Sequence, residues 1–409
     1  MPATRPDDCD TYVLLGGRVR PGGQDIPLTV AAAPQGRPGA PRRGAAGAVR
    51  PRGGRRFGKT VVAVVGTGGS WLAMMPLTEI DRLKRTVTDA WVSPVADQVA
   101  AAWGRPPGTA KWLRSSACHV FVLPGDDQCY LRFIPDTCRG PAAVAAVAGL
   151  MARLHDKGAA VVRPVPSASG ALTETVDTGL GAMHAMVVEA ARGERTDVSA
   201  LTPARARHWG RALARLHDHA AGLGTGLPDR FREIRLVPRL FAGDTALIEA
   251  AAGLTALMDG LPRDPGRLGV IHGDFELDNM TWPADTPIAY DFDEARVSWY
   301  GADIASALRE VTDDTGRPDP RHRERYDAFL AGYRDVRQLG DEDLAHLPLF
   351  TGLNAATFLV RITQALDGAA ETPQDLAELR EALREMARTH REAVIAIDGR
   401  MRREARPLR

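Results

Sequence analysis

The sequence predicts an α+β protein of two lobes, a small antiparallel sheet followed by a larger helical lobe, and three observations carry that reading. Strand-like runs of β-branched and aromatic residues crowd into residues 111–189. Beyond about residue 200 the apolar spacing is that of helices. Between the helical segments lie two short apolar runs, 269–271 and 287–290, each ending in a cluster of acidic and polar residues.

Composition narrows the class. The 409 residues, 44% hydrophobic and 25% charged, suit a soluble globular protein with a sizeable core. The 52 basic and 51 acidic side chains leave a formal charge of +1, so no global charge favours nucleic acid as a partner. Four cysteines with no C-x-x-C pair point to reduced thiols, and a cytoplasmic location is expected. No apolar run approaches the roughly 18 residues of a membrane helix, and neither a membrane nor a secretory signal is expected.

Three units are expected: residues 1–73 as a disordered or spurious N-terminal extension, 74–190 as the sheet lobe, and 191–409 as the helical lobe. Residues 35–58 are almost wholly Gly, Pro, Ala and Arg, a composition unable to offset the entropy of ordering. Within and after that run, Gly53-x-x-x-x-Gly58-Lys59-Thr60 matches the phosphate-binding P-loop pattern formally. A P-loop needs a strand before it and a helix after it, whereas here a basic run precedes and a β-branched run follows.

A helix divided by Pro94 is expected over 77–103. Three strands follow, at 111–114, 119–123 and 128–133, whose order suggests an antiparallel meander. Residues 140–154 form a helix without a single acid, and 172–176 with 182–189 read as a hairpin completing the sheet. In the second lobe, Thr202 and Pro203 open a helix over 201–220 whose His217 is expected to be packed rather than a ligand. Further helices are expected in 229–260, 302–311, 320–335, 341–364 and 372–404.

The chemistry sits at the two apolar runs. Asn279 follows Asp274 by five residues and Asp291 by seventeen, within I-H-G-D-F-E-L-D-N and Y-D-F-D. Phosphoryl transfer needs one carboxylate to orient and deprotonate the attacking hydroxyl, and hard oxygen ligands for magnesium. Asp274 suits the first task, Asn279 and Asp291 the second.

This stretch resembles the catalytic motif of the aminoglycoside phosphotransferase and choline kinase family, relatives of the protein kinases, with H-G-D in place of H-R-D and D-F-D in place of D-F-G. The resemblance, spanning roughly residues 77–390, implies a two-lobed protein-kinase-like fold and a Mg²⁺-dependent kinase. The γ-phosphoryl group of ATP, with GTP as the alternative nucleotide, would pass to a hydroxyl of a small molecule, an aminoglycoside-like antibiotic or a polar metabolite. It makes Asp274 the catalytic base, with His272 beside it orienting the loop, Asn279 and Asp291 the metal ligands, and Asp303 a brace from the next helix. It places Ser115 and Ser116 over the nucleotide phosphates, Arg132 in the position of the phosphate-binding lysine, and the backbone of Glu189, Ala190 and Ala191 against the base. The helix glutamate that normally pairs with that cation is missing, so Arg132 needs phosphate or another acid such as Asp136 or Asp156.

Acceptors in this family are often cationic. Glu276, Asp278, Asp293 and Glu294 are the acidic candidates for the acceptor site, with Trp299 and Tyr300 as an aromatic wall; Asp293 is equally open as a third metal contact. Two other readings compete, a protein Ser/Thr kinase of the same fold and a nucleotide-binding pseudokinase. Only seven residues, 294–300, separate D-F-D from G-A-D, too few for an activation segment. The sequence gives no oligomeric state.

Overall fold

The computed structural model describes residues 74–366, apart from Thr225 and Arg230, and residues 376–404. The basic run, the P-loop-like match and the expected disorder of 1–73 lie outside the described residues.

The helix expected over 77–103 is two helices, α1 (Leu77–Lys84) and α2 (Pro94–Ala100), the second running into a 3₁₀ turn at Ala101–Trp103. Ser93 ends the gap between them. Its hydroxyl accepts from the Val95 N–H as an N-cap, Pro94 occupies the first turn, and Thr86 shares a 2.6 Å hydrogen bond with Ser93 Oγ. The Thr86–Thr88 stretch thus turns back on itself, and Trp91 takes a left-handed φ of 62°.

The sheet follows the expected order. β1 (Lys111–Ser115), β2 (His119–Leu123) and β3 (Cys129–Pro135) form the meander. Helix α3 (Pro141–Asp156) and the short β4 (Pro164–Val165) intervene before the hairpin of β5 (Glu174–Thr178) and β6 (Gly181–Glu189). All pairings are antiparallel, in the order β1-β2-β3-β6-β4, with β5 also on β6. Side chains alternate across the sheet. Phe121, Leu131, Phe133, Ala185 and Val187 enter the core shared with α2, while Val120, Ile134, Met186 and Val188 enter the core that includes α3. Arg132, between Leu131 and Phe133 and paired with Val120 and Met186, therefore points to the second face, toward the rest of the molecule.

The second lobe contains α4 (Pro203–His219), α5 (Val237–Leu240) and α6 (Thr245–Asp259) before the motif. After it come α7 (Tyr300–Ala307), α8 (Arg323–Arg334), α9 (Asp341–Ala345), α10 (Leu347–Leu366) and α11 (Ala377–Glu404). Helices α4 and α8 touch closely: a Cβ on Gly210 would lie 2.0 Å from the Phe329 carbonyl oxygen. The motif contributes four short strands, β7 (Leu268–Ile271), β8 (Met280–Thr281), β9 (Ile288–Ala289) and β10 (Arg296–Trp299). The two apolar runs do not pair with each other. β8 pairs with β9 and β10 with β7, so segment 294–300 is strand and helix start rather than an extended loop. This is the two-lobed kinase-like fold, small sheet lobe first and helical lobe second.

Candidate active site

The catalytic loop leaves β7 at His272 and is fixed at once by a helix 30 residues later. Asp303, fully buried in the first turn of α7, accepts three hydrogen bonds: from the N–H of His272 (2.8 Å), from the N–H of Gly273 (2.8 Å) and from His217 Nε2 on α4 (3.0 Å). Burial alone would raise its carboxyl pKa, but the His217 bond and the His272 N–H hold it below the usual range. His217 also meets Tyr333 OH at 2.8 Å and is buried, a packed histidine as its position suggested.

His272 is equally buried. Its Nδ1 accepts from the N–H of Asp274 (3.3 Å), which leaves Nε2 as the protonated nitrogen donating to the Tyr290 carbonyl (3.1 Å). One ring joins the H-G-D loop to the D-F-D strand end, so His272 holds the two segments together. Gly273 has φ 83°, and a Cβ there would lie 2.3 Å from the Glu294 carbonyl oxygen. A bulkier residue at the centre of H-G-D would part the two segments.

Asp274 and Asn279 come together as their spacing suggested. Asn279 Nδ2 donates to Asp274 Oδ2 (2.8 Å) and to the Asp274 carbonyl (3.0 Å), across the 3₁₀ turn at Leu277–Asn279. With both amide hydrogens directed at Asp274, Oδ1 is the Asn279 atom left to a cation. Arg309 reaches the other carboxylate oxygen, Asp274 Oδ1, at 3.3 Å and also pairs with Glu276.

Asp291 and Asp293 sit in a buried cluster with three arginines. Arg132 bonds Asp291 Oδ1 and Asp293 Oδ2, both at 2.7 Å; Arg114 bonds Asp291 Oδ2 at 2.7 Å; Arg139 bonds Asp293 Oδ1 at 2.8 Å. Burial would raise both carboxyl pKa values. The guanidinium pairs around each, Arg132 and Arg114 on Asp291, Arg132 and Arg139 on Asp293, more than offset it and hold both acids ionised below the ordinary carboxylate range. Asp291 adopts a left-handed backbone, φ 66° and ψ 65°, which a non-glycine residue takes at a cost and which aims its carboxylate at the sheet lobe.

This cluster answers the missing glutamate. Arg132 does have a carboxylate partner, and it comes from the D-F-D segment rather than from α3. Neither Asp136 nor Asp156 serves: Asp136 pairs with His184 at 2.7 Å, and Asp156 is exposed at the end of α3. Asp293 has both oxygens on guanidinium groups that are themselves 9% and 2% exposed, so in this structure it serves as the anchor of Arg132 and Arg139.

Other sequence expectations change similarly. The Ser115 hydroxyl is bonded inside the sheet to His119 Nδ1 (2.9 Å) and Trp112 Nε1 (3.2 Å), and the Ser116 N–H closes the β1–β2 turn onto the Cys118 carbonyl (3.0 Å). These groups are already used. At the lobe junction the Glu189 N–H donates to the Arg163 carbonyl (3.0 Å), the Ala190 N–H to the Gln128 carbonyl (3.1 Å), and the Glu189 side chain pairs with Arg163; Ala191 follows directly. Glu294 is spent on Arg296 and Arg361. Trp299 and Tyr300 form no wall at Asp274. Trp299 Nε1 donates to the Pro262 carbonyl (2.7 Å), and the Tyr300 ring lies 4.5 Å from the His217 ring with the Arg337 guanidinium 4.3 Å from its centre.

Asp278 remains of the acidic candidates. Burial first, then the like charges of Glu310 and Asp274, raise its pKa to about 7. Glu310, in the 3₁₀ turn Leu308–Val311 that follows α7, is the acid of this group that the sequence reading missed, and no motif in the sequence singled it out.

The donor set fits magnesium. Among the described residues no three His, Cys, Asp or Glu side chains converge on a self-sufficient cage. One carboxylate and one amide oxygen are hard donors of the kind that hold Mg²⁺ when phosphate oxygens complete the shell.

Comparison with known proteins agrees with this geometry. Residues 116–339 match the model of the phosphotransferase enzyme family. A Deinococcus radiodurans protein of unassigned function is 31% identical over 255 residues, covering 58% of this chain and 72% of that one. A homoserine kinase of Rhizobium meliloti is 27% identical over 270 residues, 63% of this chain and 79% of its own. Among solved structures, an amicoumacin kinase in complex with AMP-PNP, Ca²⁺ and its antibiotic superposes with a TM-score of 0.61 at 21% identity, covering 75% of this chain and 96% of that one. No helix among the described residues is long and apolar enough to cross a membrane. The chain belongs to the phosphotransferase enzyme family and is a small-molecule phosphotransferase with the kinase-like fold.

Proposed function

We propose that this chain is a Mg²⁺-dependent kinase that transfers the γ-phosphoryl group of ATP to a hydroxyl of a small cationic molecule in the cytoplasm. The observation that carries the reading is the contact of Asp274 with Asn279 at 2.8 Å, beside an Asp291 kept ionised by two arginines. Asp274 Oδ1 and Oδ2 orient the acceptor hydroxyl and take its proton as the oxygen bonds to phosphorus and ADP leaves. Asn279 Oδ1 and Asp291 would hold the magnesium ion, which would supply charge neutralisation on the phosphates. Arg132, anchored on Asp293, keeps a fixed positive charge at the phosphate site without a helix glutamate, which removes the main support for a pseudokinase. Strand β10 occupies the place of an activation segment and favours a small-molecule acceptor over a protein.

The cationic character of the acceptor is supported by Asp278 and Glu310. Burial first and the like charge of Glu310 second raise the Asp278 pKa, and an ammonium group would relieve the repulsion. The amicoumacin and homoserine kinases among the relatives act on molecules of the amine-and-hydroxyl kind, which favours amino alcohols and aminoglycoside-like compounds. The test is ATP turnover with and without Mg²⁺ across amino alcohols, homoserine, choline, aminoglycosides and neutral sugars, with the product identified by ³¹P NMR. Transfer to neutral sugars in preference to amines would overturn the acceptor assignment, and metal-independent turnover the mechanism.

A further inference from the structure

We infer that Arg114 is a metal-competing gate: without nucleotide it occupies the metal ligand Asp291, and on binding it moves to the phosphates and releases Asp291 to the metal. This rests on the phosphotransfer reading above.

Position is the first argument. The β1–β2 register slips between Trp112, which faces Phe121, and Arg114, which faces Val120, so that Leu113 is an inserted bulge residue. Bulges of this kind re-aim a side chain beside a site. Val120 in turn faces Arg132 on the next strand, which sets Arg114, Val120 and Arg132 in one row across the sheet. Both arginines reach the same carboxylate, each holding one of its oxygens at 2.7 Å. A metal ion entering at Asp291 competes with both for those oxygens.

Charge and mobility select Arg114. Three arginines face two aspartates, an excess of one positive charge (3 − 2) before any metal arrives. A dication placed on Asp291 adds repulsion that falls on the neighbouring guanidinium groups. Arg139 is 2% exposed and Arg132 is 9% exposed, and both keep Asp293 as a partner. Arg114 is 30% exposed, and Asp291 is its one ion-pair partner among the described residues. It alone can leave without abandoning a second carboxylate, and the anionic phosphates of the incoming nucleotide are the nearest chemistry to receive a planar, permanently charged fork.

Metal and nucleotide then bind cooperatively, because the nucleotide draws Arg114 off Asp291 and each ligand prepares the site for the other. The experiment measures two affinities in the full chain, Mn²⁺ alone by electron paramagnetic resonance and MgADP by calorimetry, in the parent and in Arg114→Ala and Arg114→Gln, with melting curves to establish folding. Loss of Arg114 is expected to tighten Mn²⁺ binding about tenfold, since it frees a carboxylate oxygen, and to weaken MgADP binding about tenfold, since it deletes a charge-assisted phosphate contact. A structural role would weaken both or neither. Shifts of the same sign, or no shift in Mn²⁺ affinity, in a folded variant overturn the gate. A parent that binds no nucleotide, with or without metal, overturns the phosphotransfer reading instead.

Discussion

Replacing Asp293 by asparagine tests the proposal that the missing helix glutamate has been relocated to the D-F-D segment. The side chain is 5% exposed and accepts from Arg132 at 2.7 Å and from Arg139 at 2.8 Å. Asparagine keeps the shape, loses the charge, and leaves Arg139, itself 2% exposed, beside a dipole rather than an anion. Breaking a buried ion pair by removing one partner costs about 3–5 kcal/mol, most of it the desolvation of the charge left behind. At roughly 2 °C per kcal/mol for a chain of this size, the midpoint of thermal unfolding should fall by about 6–10 °C. Arg132 keeps Asp291 as its remaining partner, so nucleotide affinity should fall as well. Differential scanning calorimetry reads the first effect and ADP titration the second. A double-mutant cycle with Arg139→Met separates the pair from its surroundings, and a coupling above about 1 kcal/mol is expected. An Asp293→Asn protein that melts with the parent and binds ADP equally well would refute the relocation.

Three further outcomes follow from the same geometry. Asp274→Asn should lower turnover by at least about a hundredfold while leaving ADP affinity within a few-fold, because the amide keeps its contact with Asn279 but cannot accept the proton; single-turnover kinetics beside calorimetry decide it. Asp303→Asn should lower both stability and turnover, by about 2–4 kcal/mol in stability, since it weakens three bonds that a buried anion accepts; a melting point unchanged from the parent would contradict the brace. For Asp278 the sign runs from its raised pKa of about 7. Between the unfolded value near 4 and this value the folded protein binds more protons, so stability declines as pH rises through that window. Asp278→Asn should thus gain on the parent by about 1–2 kcal/mol at pH 8, discounted for its partial exposure, and by almost nothing at pH 4.5; equal gains at both would show that its carboxyl does not titrate near neutrality.

The parts of the site that a short stretch of chain determines were legible in the sequence. Asp274 and Asn279 are joined by a single 3₁₀ turn, so their spacing constrained them, whereas the brace from Asp303 is expected from the family resemblance. Arg132 is placed on the third strand by the family resemblance, and the alternation of β3 in the structure turns it toward the second face of the sheet. What could not be read was which acid meets Arg132, because its partners lie 159 and 161 residues away. The second aspartate of D-F-D was itself the clue, as an acid where the related kinases have glycine needs a cation. Arg114 was hidden by the bulge at Leu113, since strict alternation gives no warning of an inserted residue. The aromatic pair Trp299 and Tyr300 misled for the opposite reason: they stand six residues or more from D-F-D's acids in sequence, yet β10 pairs with β7 and carries them into the helical core.

The ion cluster also bears on how a catalytic cycle ends. Asp303 ties the catalytic loop to the helical lobe, whereas Asp291 and Asp293 are tied to arginines of the sheet lobe, so the five charges form a clasp across the cleft. Its Asp293 half is buried and little weakened by salt, whereas the Arg114–Asp291 pair is partly open to solvent. Once the phosphoryl group has left, the spent nucleotide carries less negative charge, and its hold on a guanidinium group falls accordingly. If Arg114 gates the site as inferred, its return to Asp291 would restore the pairs seen here. On the gate inferred above, product release, so often the slow step in enzymes whose lobes close on a ligand, would be a contest between phosphate and carboxylate for the same arginine.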